Sequence, residues 1–196
     1  MFRYFRDPHR FADFSAKPRR CDICGRTGPG YRGSWFSSGE RELDHVCEEC
    51  LASGRLEAVG VSANEPGVLG ALREGRWKLT GDLAVDEARV GELEFRTPPI
   101  PRWQDWSWPR HCDDFACYVK EAGTADYDEL AGEADCRTFL RRTLERAEER
   151  PDEWDYDLYD VIREDSPADL SEQYDLTAHL FQCRVCGQYL TVTDAS

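Results

Sequence analysis

The sequence lacks any long hydrophobic run. Nowhere in its 196 residues do about 18 apolar residues follow one another, the length that a membrane-spanning helix needs. The first residues, MFRYFRDPHRF, also lack the apolar stretch of a secretory signal peptide. These absences predict a soluble, cytoplasmic protein with no membrane partner.

The motifs of several enzyme classes are also missing. The chain contains no H-E-x-x-H, no H-x-E followed by P-C-x-x-C, no G-x-S-x-G and no glycine-rich phosphate loop. Its abundant acids lie in runs such as EERPDEWDYD, which are typical of a solvated surface. On these grounds we predict a protein that is not an enzyme.

Basic residues are scarce beyond position 41. Residues 1–41 hold nine Lys and Arg against four Asp and Glu, a net charge of +5, whereas residues 42–196 hold sixteen against thirty-five, a net charge of −19. An acidic surface repels nucleic acid and attracts basic proteins, so we expect a basic protein partner and no nucleic acid. Three alternatives stay open: the two segments neutralise each other, the acids serve only solubility, or the basic segment contacts nucleic acid by itself.

Cysteine, in contrast, is abundant. Six of the nine cysteines form three C-x-x-C pairs, which in a reducing compartment favour metal binding over disulfides. Cys21 and Cys24 are separated by 22 residues from Cys47 and Cys50, close to the spacing of a four-cysteine zinc site. Four thiolates leave no open coordination position, so we predict a structural zinc ion there.

The third pair, Cys183 and Cys186, supplies half of a tetrahedral site. Cys112 and Cys117, in HCDDFAC, are unassigned thiols that can supply the other half. This predicts a second four-cysteine site, and therefore two Zn²⁺ ions per chain, the second linking the middle of the chain to its end.

Three further side chains leave alternatives at this second site. His111 adjoins Cys112 and can replace it as a ligand. Cys136 lies on the face of a predicted helix, where a small buried hydrophobe is the more typical role. We interpret His179, in a predicted strand, mainly as a packed or surface histidine.

Local patterns predict an α+β fold made of small β-hairpins and a few short helices, stabilised by zinc. Glycines after the first cysteine pair suit tight turns, and residues 31–36 can pair as a short strand with residues 43–46, which indicates a hairpin of the treble-clef or zinc-ribbon kind. We divide the chain into an N-terminal zinc-knuckle module, residues 1–60, and a C-terminal region, residues 61–196, packed together as one compact unit.

The remainder of the chain contains two predicted helices and a predicted hairpin. The helices cover residues 68–75 and 135–150, the second with Asp135 as its N-cap. Residues 92–97 are predicted as a strand that ends at the following prolines. LTAHLFQC and GQYLTVT predict two strands around the last C-x-x-C pair.

Three tryptophans stand within six residues in RWQDWSWP, too many for an ordinary loop. They are expected either to pack over a core or to line a cleft. A cleft beside Trp103, Trp106 and Trp108 would favour a different function, that of a zinc-containing enzyme or regulator that binds a small ligand.

Several motifs together resemble the CbrC family of bacterial proteins, which is linked by name to tolerance of a nuclease colicin. The matching segments are FRYFRDP at residues 2–8, CDICG at 21–25, CEECLASG at 47–54, FRTP at 95–98 followed by Trp103 and Gln104, His111 and Cys112 followed by Cys117, and HLFQCRVCG at 179–187. They run along the whole chain, and the match is weakest over residues 120–175. The resemblance implies tolerance or immunity to a colicin-like nuclease toxin, whose basic domain would be the partner, and it implies no reaction.

Overall fold

The structure is a computed structural model that describes residues 2–37, 42–100, 107–149, 157–162, 164 and 176–195. The chain divides into two compact units, Met1–Pro101 and Arg102–Ser196. The cysteine pattern predicted a boundary after residue 60, with the two parts packed together as one compact unit, and this division stays a prediction.

The first unit contains two small antiparallel sheets. A short helix, α1 (Pro8–Phe11), precedes a sheet with the strand order β1 (Phe14–Arg20), β2 (Thr27–Tyr31) and β4 (Val46–Cys47), and a second sheet pairs β3 (Phe36–Ser37) with β5 (Val61–Ser62). Tyr31 is fully buried, and the rings of Phe2 and Phe14 pack on it at centroid distances of 5.6 and 5.2 Å. The aromatic residues at the start of the chain therefore form part of this core.

Three helices complete the first unit: α2 (Glu48–Ala52), α3 (Val68–Arg73) and α4 (Leu83–Arg96). The helix predicted over residues 68–75 is confirmed as α3. The strand predicted over residues 92–97 is wrong, because residues 92–96 form the last turns of α4. Val90, Leu93 and Glu94 are buried at the spacing of one helix face, which the short alternation in ELEF concealed.

Asp86 holds the segment that leads into α4. Its buried carboxylate accepts hydrogen bonds from the backbone N–H groups of Leu79, Thr80 and Gly81 at 2.9 to 3.1 Å. The Thr80 hydroxyl donates a further one at 2.6 Å. Burial acts to raise the pKa of Asp86, but these hydrogen bonds outweigh it and lower the pKa to about 2.

We expect Asp86→Asn to lower the free energy of unfolding by about 2 kcal/mol at neutral pH, because the amide cannot accept all four hydrogen bonds. The pKa of this carboxyl is lower in the folded than in the unfolded state. Its contribution is therefore complete above about pH 4 and is lost as the pH falls towards 2. Urea unfolding of both proteins from pH 7 to pH 2.5 tests this, and a stability difference that stayed constant with pH would contradict it.

The second unit is built around a three-stranded antiparallel sheet. Its strand order is β10 (Tyr189–Ala195), β9 (Leu176–Gln182) and β8 (Cys117–Glu121), and a separate hairpin pairs β6 (Arg110–His111) with β7 (Asp114–Phe115). The hairpin predicted around the last cysteine pair is confirmed, with β9 and β10 paired over their full lengths.

Helices cover this sheet: α5 (Thr124–Ala131), α6 (Cys136–Arg146) and α7 (Leu158–Val161). The second predicted helix is confirmed as α6, with the Asp135 side chain accepting a hydrogen bond from the Thr138 N–H at 2.8 Å. It ends at Arg146 rather than at residue 150. Leu140 and Leu144 of α6 are buried in a cluster with residues of the sheet, so the core of this unit lies between helix and sheet.

The tryptophan segment is described only in part. Trp103 and Trp106 lie outside the described residues. Trp108 is buried, its indole N–H donates to the Ala116 carbonyl at 2.7 Å, and its ring meets Phe181 edge-on at 5.3 Å. Trp108 therefore packs in the core of the second unit.

The described residues form a mixed α+β protein with small antiparallel sheets and short helices, as the sequence predicted. Among these residues, no helix has both the length and the apolar character required to cross a membrane.

Candidate metal centres

The first C-x-x-C segment forms a tight turn at the end of β1. The Cys21 N–H donates to the Arg26 carbonyl at 2.8 Å, and the Gly25 N–H donates to the Cys21 carbonyl at 2.8 Å. Gly25 has a φ of +73°, a conformation that glycine adopts without steric cost. The turn brings the side chains of Cys21 and Cys24 to the same side of the loop, where both belong to one group of potential ligands.

The second pair enters from a strand and a helix. Cys47 is the last residue of β4 and is paired with Gly30 of β2, and Cys50 lies in the first turn of α2. A Cβ atom on Gly30 would lie 2.4 Å from the Val46 carbonyl oxygen and 2.8 Å from the Cys47 Cα. The close approach of β2 and β4, which positions Cys47, therefore requires glycine at residue 30.

The four thiols lie close enough to share a metal ion. The sulfur atoms of Cys21, Cys24, Cys47 and Cys50 are all within 4.8 Å of one another. Those of Cys24 and Cys47 are 3.8 Å apart, which equals the edge of a tetrahedron whose metal–sulfur bonds are about 2.3 Å long. The Cys47 N–H also donates to the Cys21 sulfur at 3.4 Å. The fold thus assembles this predicted set of residues into a group that can hold a metal ion.

The turn between β9 and β10 repeats the geometry of the first one. The Cys183 N–H donates to the Gln188 carbonyl at 2.8 Å, and the Gly187 N–H donates to the Cys183 carbonyl at 3.0 Å. Gly187 has a φ of +75°. The Val185 N–H donates to the Cys183 sulfur at 3.4 Å. Two segments far apart in the chain therefore fold into the same type of turn around a C-x-x-C-G sequence.

A second hairpin turn faces this one. Cys112 and Asp113 connect β6 to β7 and have φ values of +52° and +58°. A two-residue loop with both φ values positive favours asparagine and glycine, so a cysteine in it is uncommon and strained. Strain of this kind is found where a side chain is needed in a specific position.

The side chains from these two turns form the second group. His111, Cys112, Cys183 and Cys186 have ligand atoms that all lie within 4.8 Å of one another. The Nδ1 atom of His111 is 3.2 Å from the Cys112 sulfur and 3.3 Å from the Cys186 sulfur. The second group can therefore also hold a metal ion, with three sulfur ligands and one nitrogen ligand.

This group differs from the predicted set in one member, since His111 occupies the place assigned to Cys117. Cys117 begins β8, where it pairs with Gln182, and its sulfur lies 3.7 Å from the Tyr118 carbonyl oxygen. The hairpin turn places His111 next to Cys112 in the group. Cys117 lies at the start of β8 and outside the group.

Two other residues considered from the sequence also lie outside both groups. Cys136 is the first residue of α6 and is partly buried. His179 is buried in β9, with its Nε2 atom 3.6 Å from a carboxylate oxygen of Asp194, and its ring lies beside Tyr118. Both are packed within the second unit.

Each turn favours the thiolate form of its second cysteine. The backbone N–H of Arg26, followed by its guanidinium, lowers the pKa of Cys24 to about 6. The Gln188 N–H is the largest cause that lowers the pKa of Cys186. Burial, in contrast, raises the pKa of Cys47. Since metals bind the thiolate, the turn amides support the ligating form in both groups.

The two groups differ in their exposure. Cys21, Cys47 and Cys50 are buried, whereas Cys112 and Cys186 are exposed. Both groups offer four protein ligands, the number found in structural zinc sites, whereas catalytic sites use three and keep a position for water. Each group can therefore hold a metal ion whose four coordination positions are all filled by protein ligands.

Comparison with known proteins gives a family without an assigned activity. A family model described as an uncharacterised protein family, UPF0167, matches residues 1–195. UPF0167 proteins of Mycobacterium bovis and Mycobacterium tuberculosis are each 27% identical to this chain over 208 residues, covering 99% of this chain and 92% of the relative. No solved structure matches the chain.

The assignment to the CbrC family is therefore wrong, because the family model and the mycobacterial relatives support UPF0167 instead. The motifs behind the resemblance are mostly cysteine turns, which many unrelated metal-binding proteins share. The expectation of colicin tolerance or immunity rested on that resemblance; no finding supports it, and it stays an untested prediction.

Proposed function

The chain belongs to the UPF0167 family, and we propose that it is a non-enzymatic zinc protein in which one Zn²⁺ ion stabilises each unit. The observation that supports this is the assembly of two four-ligand groups, each built from segments distant in sequence. His111 and Cys183, for example, are 72 residues apart. A zinc ion bound by such ligands adds its binding free energy to the folding of the unit around it.

Zinc fits both groups better than Mg²⁺ or Ca²⁺ does. Four thiolates, or three thiolates and an imidazole, are standard ligand sets of structural zinc. Oxygen ligands, which Mg²⁺ and Ca²⁺ require, are absent from both groups in the described part of the chain. The Cys24–Cys47 sulfur distance of 3.8 Å equals the edge of a tetrahedral zinc–sulfur site, and the His111 Nδ1 distances of 3.2 and 3.3 Å to the Cys112 and Cys186 sulfurs are close to the edge that a nitrogen and a sulfur ligand would share.

We expect two zinc ions per chain in protein purified without a chelator. Elemental analysis by mass spectrometry, calibrated against the protein concentration, measures this ratio. Iron and copper are determined in the same sample. A ratio near one zinc ion per chain would show that only one of the two groups binds zinc. A ratio near zero, or iron in place of zinc, would refute the proposal.

The acidic charge is concentrated in the second unit. Residues 1–101 hold fifteen Lys and Arg against sixteen Asp and Glu, whereas residues 102–196 hold ten against twenty-three. The second unit therefore carries −13 of the net −14. We propose that it binds a basic protein, since a surface of this charge speeds encounter with an oppositely charged partner and repels nucleic acid.

Part of this charge lies on the described surface. Glu129 in α5 and Glu133 in the turn that follows are exposed. The nearby cation Arg137 donates hydrogen bonds to Asp157 at 2.8 Å and to Asp160 at 3.0 Å. Because Arg137 is already engaged with two carboxylates, it adds little positive field to this surface.

We expect salt-sensitive binding to a basic protein and no binding to DNA. Protein immobilised with its metal should retain basic proteins at about 100 mM salt and release them as salt shortens the range of charge interactions. A variant with Glu129→Lys and Glu133→Lys should retain less. A gel-shift titration with duplex DNA provides the opposite test, and DNA binding that is lost on changing Arg19, Arg20 and Arg26 to Ala would overturn the proposal.

A further inference from the structure

A cavity of about 820 Å³ lies within the first unit. It is bordered by the β3–β5 sheet, by α3 and by the end of α4, and none of the four cysteines of the first unit lines it. Cavities that bind small molecules have volumes of about 300–1,000 Å³. The cavity is therefore large enough for a ligand with one or two rings.

Aromatic side chains supply much of the wall. Trp35 and Phe36 contribute from the β3 side, and Phe95 contributes from α4. All three are partly buried, so their rings offer faces or edges on which a flat ligand can stack. The indole N–H of Trp35 is buried without a hydrogen-bond partner among the described residues, so the ring and not this N–H is the surface that Trp35 offers to a ligand.

Gly70 lines the α3 side of the cavity. It lies inside a six-residue helix, where glycine is disfavoured relative to alanine. Its φ is not in the left-handed region, and a Cβ atom added to it would meet nothing within 4 Å. Neither backbone conformation nor crowding therefore requires glycine here, and we expect a large side chain at this lining position to reduce the volume of the cavity.

The charges at the cavity disfavour an anion. Glu94 is buried, its carboxylate accepts a hydrogen bond from the Leu69 N–H at 3.2 Å, and burial raises its pKa to about 7. Glu57 adds a second acid to the lining. The cation of the lining, Arg73, is paired with Glu87 at 2.8 Å and also interacts with Glu57 and Glu94. The acids of the lining outnumber this cation, which disfavours a negatively charged ligand.

We propose that this cavity binds a small aromatic molecule that carries no negative charge. The site lies within a single unit and uses none of the candidate metal ligands, so it is independent of the zinc centres and of the basic partner. It gives the first unit a ligand-binding role that is separate from the acidic surface of the second unit.

Two probes of the same shape and different charge test the proposal: naphthalene-1-carboxamide and 1-naphthoate. Each is titrated into the zinc-loaded full chain and followed by saturation-transfer NMR. We expect the carboxamide to bind with a Kd of about 1 mM or tighter, which is reasonable for a ligand of this size. We expect 1-naphthoate to bind at least about fivefold more weakly.

Gly70→Leu should block the cavity and weaken carboxamide binding by about tenfold or more. Its melting temperature should be unchanged or higher, because leucine is a better helix former than glycine. Gly91→Leu is the matched control, since Gly91 is also helical, has no atom within 4 Å of an added Cβ and does not line the cavity. Its Kd should stay within about twofold of the wild type.

Trp35→Ala provides a second variant that does not depend on filling the cavity, and it should also weaken carboxamide binding. Circular dichroism of each variant establishes that the helices are intact. The proposal is overturned if the carboxamide does not bind, if Gly70→Leu and Trp35→Ala bind it like the wild type, or if 1-naphthoate binds as tightly.

Discussion

Cys183→Ser is expected to remove one of the two zinc ions and to unfold the second unit. Serine keeps a proton at neutral pH and does not replace a thiolate ligand. Structural zinc contributes about 10–16 kcal/mol to the folding of small modules, as much as or more than the whole stability of a typical domain. Loss of this one ligand therefore outweighs the marginal stability of the unit.

Zinc content and limited proteolysis measure this effect, because cleavage should begin in residues 102–196. Cys136→Ser is the matched control, since it lies in the same unit and outside the ligand group. It should retain two zinc ions and its melting temperature. If Cys183→Ser also retained both, Cys183 would not be a ligand.

The same assay separates the ligand set predicted from the sequence from the group of potential ligands that lie together in the structure. His111→Ala should release the second zinc ion, whereas Cys117→Ser should retain it, because the His111 Nδ1 atom lies among the ligand atoms and the Cys117 sulfur does not. The reverse result would restore the four-cysteine site that the sequence predicted.

Gly30→Ala should destabilise the first unit by about 3 kcal/mol and weaken zinc binding at its centre by about tenfold or more. A methyl group at residue 30 collides with the backbone of Val46 and Cys47, and backbone cannot move aside as a flexible side chain can. Strand β4 must shift, and Cys47 shifts with it.

Gly28→Ala is the control for this effect. It lies on the same strand, and an added Cβ there meets nothing within 4 Å. Chemical unfolding and competition with a zinc-binding dye compare the two variants. Equal stability and equal zinc affinity would show that the approach of β2 and β4 does not position the ligand.

Much of the first centre could be predicted from the sequence, because its ligands come in two pairs whose spacing is typical of a four-cysteine zinc site. Cys21 and Cys24 share a turn that C-x-x-C-G already encodes, with glycine at the left-handed position. The same sequence signal identified the turn at Cys183 and Cys186. The residues of each C-x-x-C-G segment determine its turn, so both turns could be predicted from these short segments alone.

The remaining ligands of the second centre could not be ranked in this way. Cys117 and His111 were both plausible partners for Cys112. The choice depends on a type I′-like turn that places Cys112 at positive φ, and neither asparagine nor glycine marks that turn. A cysteine at positive φ cannot be recognised from the sequence, because cysteine is not a residue type typical of that conformation.

Helix α4 was missed because the residues of ELEF alternate over too short a distance to distinguish a strand from a helix. A local signal for its start was present, since the Asp82 side chain caps the helix by accepting a hydrogen bond from the Val85 N–H at 3.2 Å. The contacts of Asp86 with residues 79–81 become visible only in the structure.

The separation of the ligands along the chain also sets the order in which the centres can form during synthesis. All four ligands of the first centre have been added once Cys50 is made, long before the first unit itself is complete at Pro101. The second group is complete only when Cys186 is made, 75 residues after His111, about 4–15 s at the usual rate of translation. If zinc binds there as proposed, the Cys112 thiol has no metal during that interval, and the nascent chain is open to oxidation or to binding of the wrong metal.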